Sequence, residues 1–212
     1  MPINIPLARQ EVLSLMQRLE AEPAHVQQVS RLSLQLFDGL AILHEMGEDD
    51  RLLLESAALL HDIGWTTADR GKDHHKESAR LIRRERWQQF GPTEVKIFAQ
   101  VARYHRKALP TPEHEEFAAL PPTERKRVER LAGLLRLADA LDRSHRQLVA
   151  SVLCRVDPTS LTFDVFTTGP INRELAAADK KADLIRLNYE RRILFNVVQP
   201  TGPVPPPSET KI

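Results

Sequence analysis

Leu59-Leu60-His61-Asp62-Ile63-Gly64-Trp65 sets an imidazole directly beside a carboxylate at the end of an apolar run, with a glycine two residues later. Leu52, Leu53, Leu54, Ala57 and Ala58 precede it, so residues 51–62 are apolar almost all round. A helix of that kind is buried on most sides and belongs at the centre of a bundle. The pair His61-Asp62 therefore arrives in the interior, offering one nitrogen and two oxygens to the same point. A His-Asp dipeptide alone says little; its meaning depends on the partners that the rest of the chain brings to it.

Working outward, residues 24–46 repeat Val26, Val29, Leu32, Leu36, Leu40 and Leu43 with helical spacing. Gly47 ends that helix, and Glu48-Asp49-Asp50 supplies a cap for the central one. A first helix is predicted over 7–21, interrupted by Pro23. Beyond the pair, 64–74 is polar and irregular, a surface loop. Residues 75–89 read as a helix with Ala79, Ile82 and Trp87 inward, Gly91-Pro92 breaks it, and 93–106 follows. A loop with Pro110, Pro112, Pro121 and Pro122 suits a lid or specificity segment. Residues 123–146 form the last long helix of the bundle.

After Arg146 the period changes to two. Strands are predicted at 148–156 and 161–166, then a helix over 172–189 and a third strand at 193–198. The expected fold is mostly α: a helical bundle over 1–147 and a C-terminal α+β appendage over 148–198, with about three strands and one helix. A Pro-rich tail over 199–212 is expected to be disordered.

Composition narrows the function. The chain has 212 residues, enough for one domain with an appendage. Thirty basic residues nearly cancel 29 acidic ones, so no global field favours duplex nucleic acid or an anionic membrane. The single cysteine, Cys154, rules out an internal disulfide and suits a reducing compartment. No signal peptide or membrane span is visible, so the expected location is cytoplasmic.

Periodicity tests which ionisable groups face inward with the pair. His25 lies four before Val29, His75 four before Ala79, His105 four after Val101, and Asp139 four after Leu135. Together with His61, five ionisable groups on five predicted helices point inward. Burying several such groups without a partner is costly, and one or two shared divalent cations resolve the cost. His74 competes with His75, and the inward stripe favours His75. His44, His114 and His145 read as surface residues. The cation is Mn, Fe, Ni, Zn or Mg.

The ordered set His25, His61-Asp62, Asp139 resembles the HD-domain superfamily of metal-dependent phosphohydrolases. The phrases Ala57-Ala-Leu-Leu-His-Asp-Ile-Gly64, His74-His-Lys-Glu-Ser78, Ala102-Arg-Tyr-His-Arg-Lys107 and Leu134-Leu-Arg-Leu-Ala-Asp-Ala-Leu-Asp-Arg-Ser-His145 are similar to the C-terminal HD domain of the exopolyphosphatase / guanosine pentaphosphate phosphohydrolase family. That resemblance implies His25, His61, Asp62 and Asp139 around a first cation, and His75 and His105 joining a second with Asp62 bridging. In that family the polyphosphatase site resides in an N-terminal actin-like domain. This chain starts at the HD region, so exopolyphosphatase activity of the usual kind is not expected to carry over. The Gly-Tyr-Pro signature of cyclic-di-GMP phosphodiesterases is absent.

The expected activity is hydrolysis of a phosphorylated small molecule or nucleotide by cation-activated water. Asp62 is the central catalytic residue, and Arg143, Lys76 and Arg106, beside the ligands, are candidates to receive phosphate. Arg143 is favoured because it follows Asp139 by four. The competing expectation is a non-catalytic module binding polyphosphate, a nucleotide or a protein partner. An apolar strand edge around Leu161–Phe166 makes a homodimer an option.

Overall fold

The computed structural model describes residues 3–199. The expected Pro-rich tail falls, from residue 200 on, outside the described residues. Among them are ten α-helices and three strands. The helices are α1 (Ile5–Leu19), α2 (Pro23–Gly39), α3 (Ala41–His44), α4 (Glu48–Leu60), α5 (His74–Arg84), α6 (Pro92–Arg103), α7 (Glu115–Ala118), α8 (Pro122–Ala140), α9 (Asn172–Lys181) and α10 (Asp183–Tyr189). The strands are β1 (Val149–Val156), β2 (Ser160–Thr167) and β3 (Arg192–Val198).

Helix α4 is central as its composition demands. Leu53, Leu54, Ala57, Ala58 and Leu60 are fully buried, and α4 packs on α1, α2, α6 and α8. Proline stands in the first turn of α1, α2, α6 and α8, where its missing N–H costs nothing. Three acidic residues open α4, in favourable register with its dipole.

Several boundaries depart from the predicted ones. The helix expected over 24–46 stops at Gly39, with the short α3 after it. Helix α5 ends at Arg84, before Trp87. The Trp87 indole donates to Ile82 O at 2.8 Å and packs edge-on against Phe90 and Phe98, so it is held inward without being helical. Helix α8 ends at Ala140, and 141–146 are turns. The single helix expected over 172–189 is two, α9 and α10, divided at Ala182. His44 is not a surface residue: it is buried, with its Nε2 donating to Phe37 O at 2.8 Å.

The sheet runs β1-β2-β3, β1 antiparallel to β2 and β2 parallel to β3, with an irregularity between Val149 and Ser151. The parallel pair requires a crossover, and α9–α10 provide it. β1 packs on α2, while α9 and α10 pack on α8. Arg136, buried in α8, clamps the crossover: it donates to Tyr104 O at 2.9 Å and pairs with Asp183 at 2.6 Å.

Candidate metal centre

The ionisable groups sit at the ends of their helices, on one end of the bundle. His61 is the C-terminal cap of α4, and Asp62 follows in the turn. His105 lies just past the end of α6, Asp139 in the last turn of α8, and His74 opens α5. Three helix C-termini therefore approach the same space, and their partial negative charge favours a cation there.

The free carbonyls of those ends are also used. His61 Nδ1 donates to Ala58 O at 2.7 Å, His105 Nδ1 to Ala102 O at 2.7 Å, and His74 Nδ1 to Gly71 O at 2.8 Å. Each is the same contact, from a histidine to the residue three before it. A carbonyl only accepts, so Nδ1 carries the hydrogen and Nε2 keeps its lone pair. His25 is fixed likewise, with Nδ1 donating to Asp142 Oδ2 at 2.9 Å. Such outer partners are what orient histidines that ligate a metal.

All four Nε2 atoms meet the carboxylates. His25 Nε2 is 3.6 Å and His61 Nε2 4.0 Å from Asp139 Oδ1. Around Asp62, His74 Nε2 is 3.1 Å and His105 Nε2 3.5 Å from Oδ1, and His61 Nε2 is 3.7 Å from Oδ2. Two groups have ligand atoms mutually within 4.8 Å: His25, His61 and Asp139, and His61, Asp62 and His105. Buried polar atoms are ordinarily satisfied, yet His25 Nε2, His61 Nε2 and Asp62 Oδ1 are buried without a hydrogen-bond partner. Divalent cations fit this donor set of imidazole nitrogens and carboxylate oxygens.

The electrostatics suit the same occupant. Burial disfavours the charged form of Asp62, but His61, His74 and His105 outweigh it and hold its carboxyl well below the usual range. Asp139 is lowered too: burial opposes it, and His25, His105 and His61 prevail. Burial pushes the His105 imidazole well below its ordinary value, which keeps Nε2 free. Burial also disfavours charge on His25, but Asp139 and Asp142 lift it to about 10. Filling that position therefore displaces a proton.

A pH dependence follows for the ion-free protein. His105 is lowered by burial and His75, by burial and the nearby Lys107, to about 4. Below about 6.5 both take protons when unfolded but resist them when folded, His75 down to about 4, so stability falls as pH falls. The contribution of His25 is fully present below 6.5 and does not change in this window. Glu20, raised mainly by burial, works in the opposite sense but is a single group. Urea unfolding at pH 7 and pH 5 is expected to show a lower midpoint at pH 5.

The structure does not bring every predicted site residue to this point. His75 is buried, but its Nδ1 has no partner and its ring centroid is 6.2 Å from that of His105. His74 takes the place expected for it. The inward face of α5 is broad enough for both. His74 shares its side with Ser78, whose hydroxyl accepts from Gly64 N at 2.9 Å, so that side faces the His61-Asp62 turn. Lys76 pairs with half-buried Asp73 at 3.5 Å, away from the centre. Arg106 and Arg143 both line the cavity of about 470 Å³ that opens over Asp62 and Asp139. The Arg106 guanidinium lies 3.2 Å from both ring nitrogens of His74.

Other residues at or behind this cavity escaped the sequence reading. Asp142, fully buried, stands three after Asp139, and that spacing was its only signal. His145 is not simply a surface residue: it stacks on the His25 ring at 3.7 Å and donates from Nδ1 to Glu22 at 2.6 Å. Trp65 is 47% exposed at the rim, 4.6 Å from the His74 ring. Lys181 reaches the wall from α9, and its Nζ donates to His105 O at 3.0 Å. Nothing in the sequence ties α9 to this end of the bundle. Residues 8–177 match the family model described as Ppx/GppA phosphatase, domain III.

Proposed function

The chain belongs to the Ppx/GppA phosphatase family through its domain III, and from that premise we propose that it is a metal-dependent phosphohydrolase of the HD type. The reading divides it into a helical HD domain over 1–147 and an appendage over 148–198 that helps to wall the site. One observation carries it. Four imidazoles, each with Nδ1–H tied down, turn Nε2 towards two half-buried carboxylates and leave buried atoms without partners.

His25, His61 and Asp139 would hold one divalent cation, and His61, Asp62 and His105 a second, with His74 beside Asp62. A bound cation polarises a phosphoryl oxygen and acidifies a water. Asp62 stays ionised and can accept a hydrogen from the attacking water at Oδ1. Arg143 and Arg106 receive non-bridging phosphate oxygens from the cavity wall. The substrate is a phosphorylated small molecule or nucleotide. No helix of the described residues is long and apolar enough to cross a membrane.

A second reading has its own support. The match is to one domain of the family, and a domain can bind a nucleotide, polyphosphate or a protein partner without catalysing anything. Elemental analysis coupled to turnover separates the two. The purified protein is expected to carry one or two divalent ions per chain. It is expected to release phosphate from at least one of nucleotides, guanosine tetraphosphate, cyclic nucleotides, polyphosphate or a generic phosphodiester. Ion-loaded protein inert on all of them would favour the binding module.

A further inference from the structure

Lys181 is half-buried on the wall of the cavity that holds Asp62 and Asp139. Its ammonium has three donors. His105 O takes one, at 3.0 Å. Among the described residues no carboxylate lies within 4.0 Å of Nζ, whereas two neighbouring cations are paired. Lys107 is 2.5 Å from Asp73, and Arg136 engages Asp183. Of the acids that line the cavity, Asp139 faces His25 and His61, Asp62 faces His61, His74 and His105, Glu22 pairs with His145, and Glu20 accepts from Glu22 N. A cation withdrawn from water without a counter-charge is costly. Arg143 lines the same wall from beyond α8.

We propose that Lys181 binds a non-bridging oxygen of a terminal phosphoryl group, which makes the preferred substrate a phosphomonoester rather than a phosphodiester. The proposal rests on the phosphohydrolase reading of the site. The chemistry of the two substrate classes separates them. A terminal phosphoryl carries a charge of about −1.5 to −2 and three free oxygens. A diester keeps one charge and two free oxygens. Two N–H donors on an ammonium with no carboxylate within 4.0 Å match the former. The appendage is then part of the substrate site, because α9 supplies the group.

The test uses the full chain reconstituted with manganese, as wild type, Lys181→Met and Lys181→Arg. Three quantities are read: ion content, affinity for inorganic phosphate by calorimetry, and kcat/KM on p-nitrophenyl phosphate and bis(p-nitrophenyl) phosphate. Lys181→Met is expected to bind phosphate about tenfold or more weakly, the scale of one lost charge-assisted hydrogen bond. It is expected to lose most of its monoester activity, keep its diester activity and retain its ions. Lys181→Arg should keep most of the phosphate affinity. Equal loss on both esters, unchanged phosphate affinity, or loss of ions from Lys181→Met would overturn the proposal; the last would make Lys181 a prop for His105. A wild type that hydrolyses neither ester overturns the monoester preference and leaves the hydrolase reading to the wider substrate panel, whereas the phosphate-binding arm alone decides whether Lys181 is an anion anchor.

Discussion

Asp62→Ala protein is expected to fold, to lose ions, and to retain less than about one-thousandth of the wild-type turnover, a barrier increase of roughly 4 kcal/mol. The magnitude comes from how much of the site meets at one carboxylate. His74, His105 and His61 all lie within 3.7 Å of its oxygens. Its Oδ1 is buried with no hydrogen-bond partner, so it offers a free acceptor to an occupant. Removing it takes one ligand from the second group of donors and the negative charge that faces three rings. Asp62→Asn keeps the shape but puts a neutral amide among those lone pairs, and a comparable loss is expected. Circular dichroism would confirm folding, elemental analysis would read the ions, and phosphate release would read turnover. Activity unchanged in Asp62→Ala would assign the hydrolysis to a contaminant.

Much of the fold was legible because its signals are periodic. The run 51–62 is apolar almost all round, and its helix packs against four others. The change from period 3.6 to period 2 after Arg146 coincides with the start of the sheet. Boundaries were less legible where a turn continues helical geometry. Residues 141–146 follow α8 as turns and keep an apolar Leu141, so the pattern ran on to 146. The break at Ala182 has no Gly or Pro to mark it.

The site was legible on each helix separately but not across helices. A stripe says that a side chain faces inward; it does not say which neighbour it meets. His74 and His75 are both buried, and it is the packing of α5 on the His61-Asp62 turn, with Gly64 N donating to Ser78, that sets His74 rather than His75 against Asp62. Lys76 was chosen because it adjoins a histidine, but adjacent helical residues point about 100° apart, and its side chain meets Asp73 instead. His145 and Lys181 reach the cavity, and Asp142 reaches His25, through loop geometry and long-range packing, which have no local period.

Gly64→Ala is the second large effect, and it turns on space rather than on backbone angles. A Cβ at position 64 would sit 2.5 Å from Ser78 N, 2.6 Å from His74 O and 2.8 Å from Glu77 Cβ. Two of those atoms are backbone in the first turns of α5, so no side-chain rotation relieves the overlap. Either α5 moves away or the His61-Asp62 turn does, and the hydrogen bond from Gly64 N to Ser78 Oγ is lost in both cases. Overpacking of this kind costs about 3 kcal/mol, read as a fall in the urea midpoint. The displacement also carries His74 away from Asp62, so ion affinity is expected to fall at least about tenfold, of the order seen when outer partners of ligands are disturbed. Gly47→Ala is the matched control. A Cβ there meets nothing within 4 Å, although the position caps α4. It should cost no more than about 1 kcal/mol and leave ion binding unchanged. If Gly64→Ala bound ions as tightly as Gly47→Ala, the close contact between the His61-Asp62 turn and α5 would not be what sets the site.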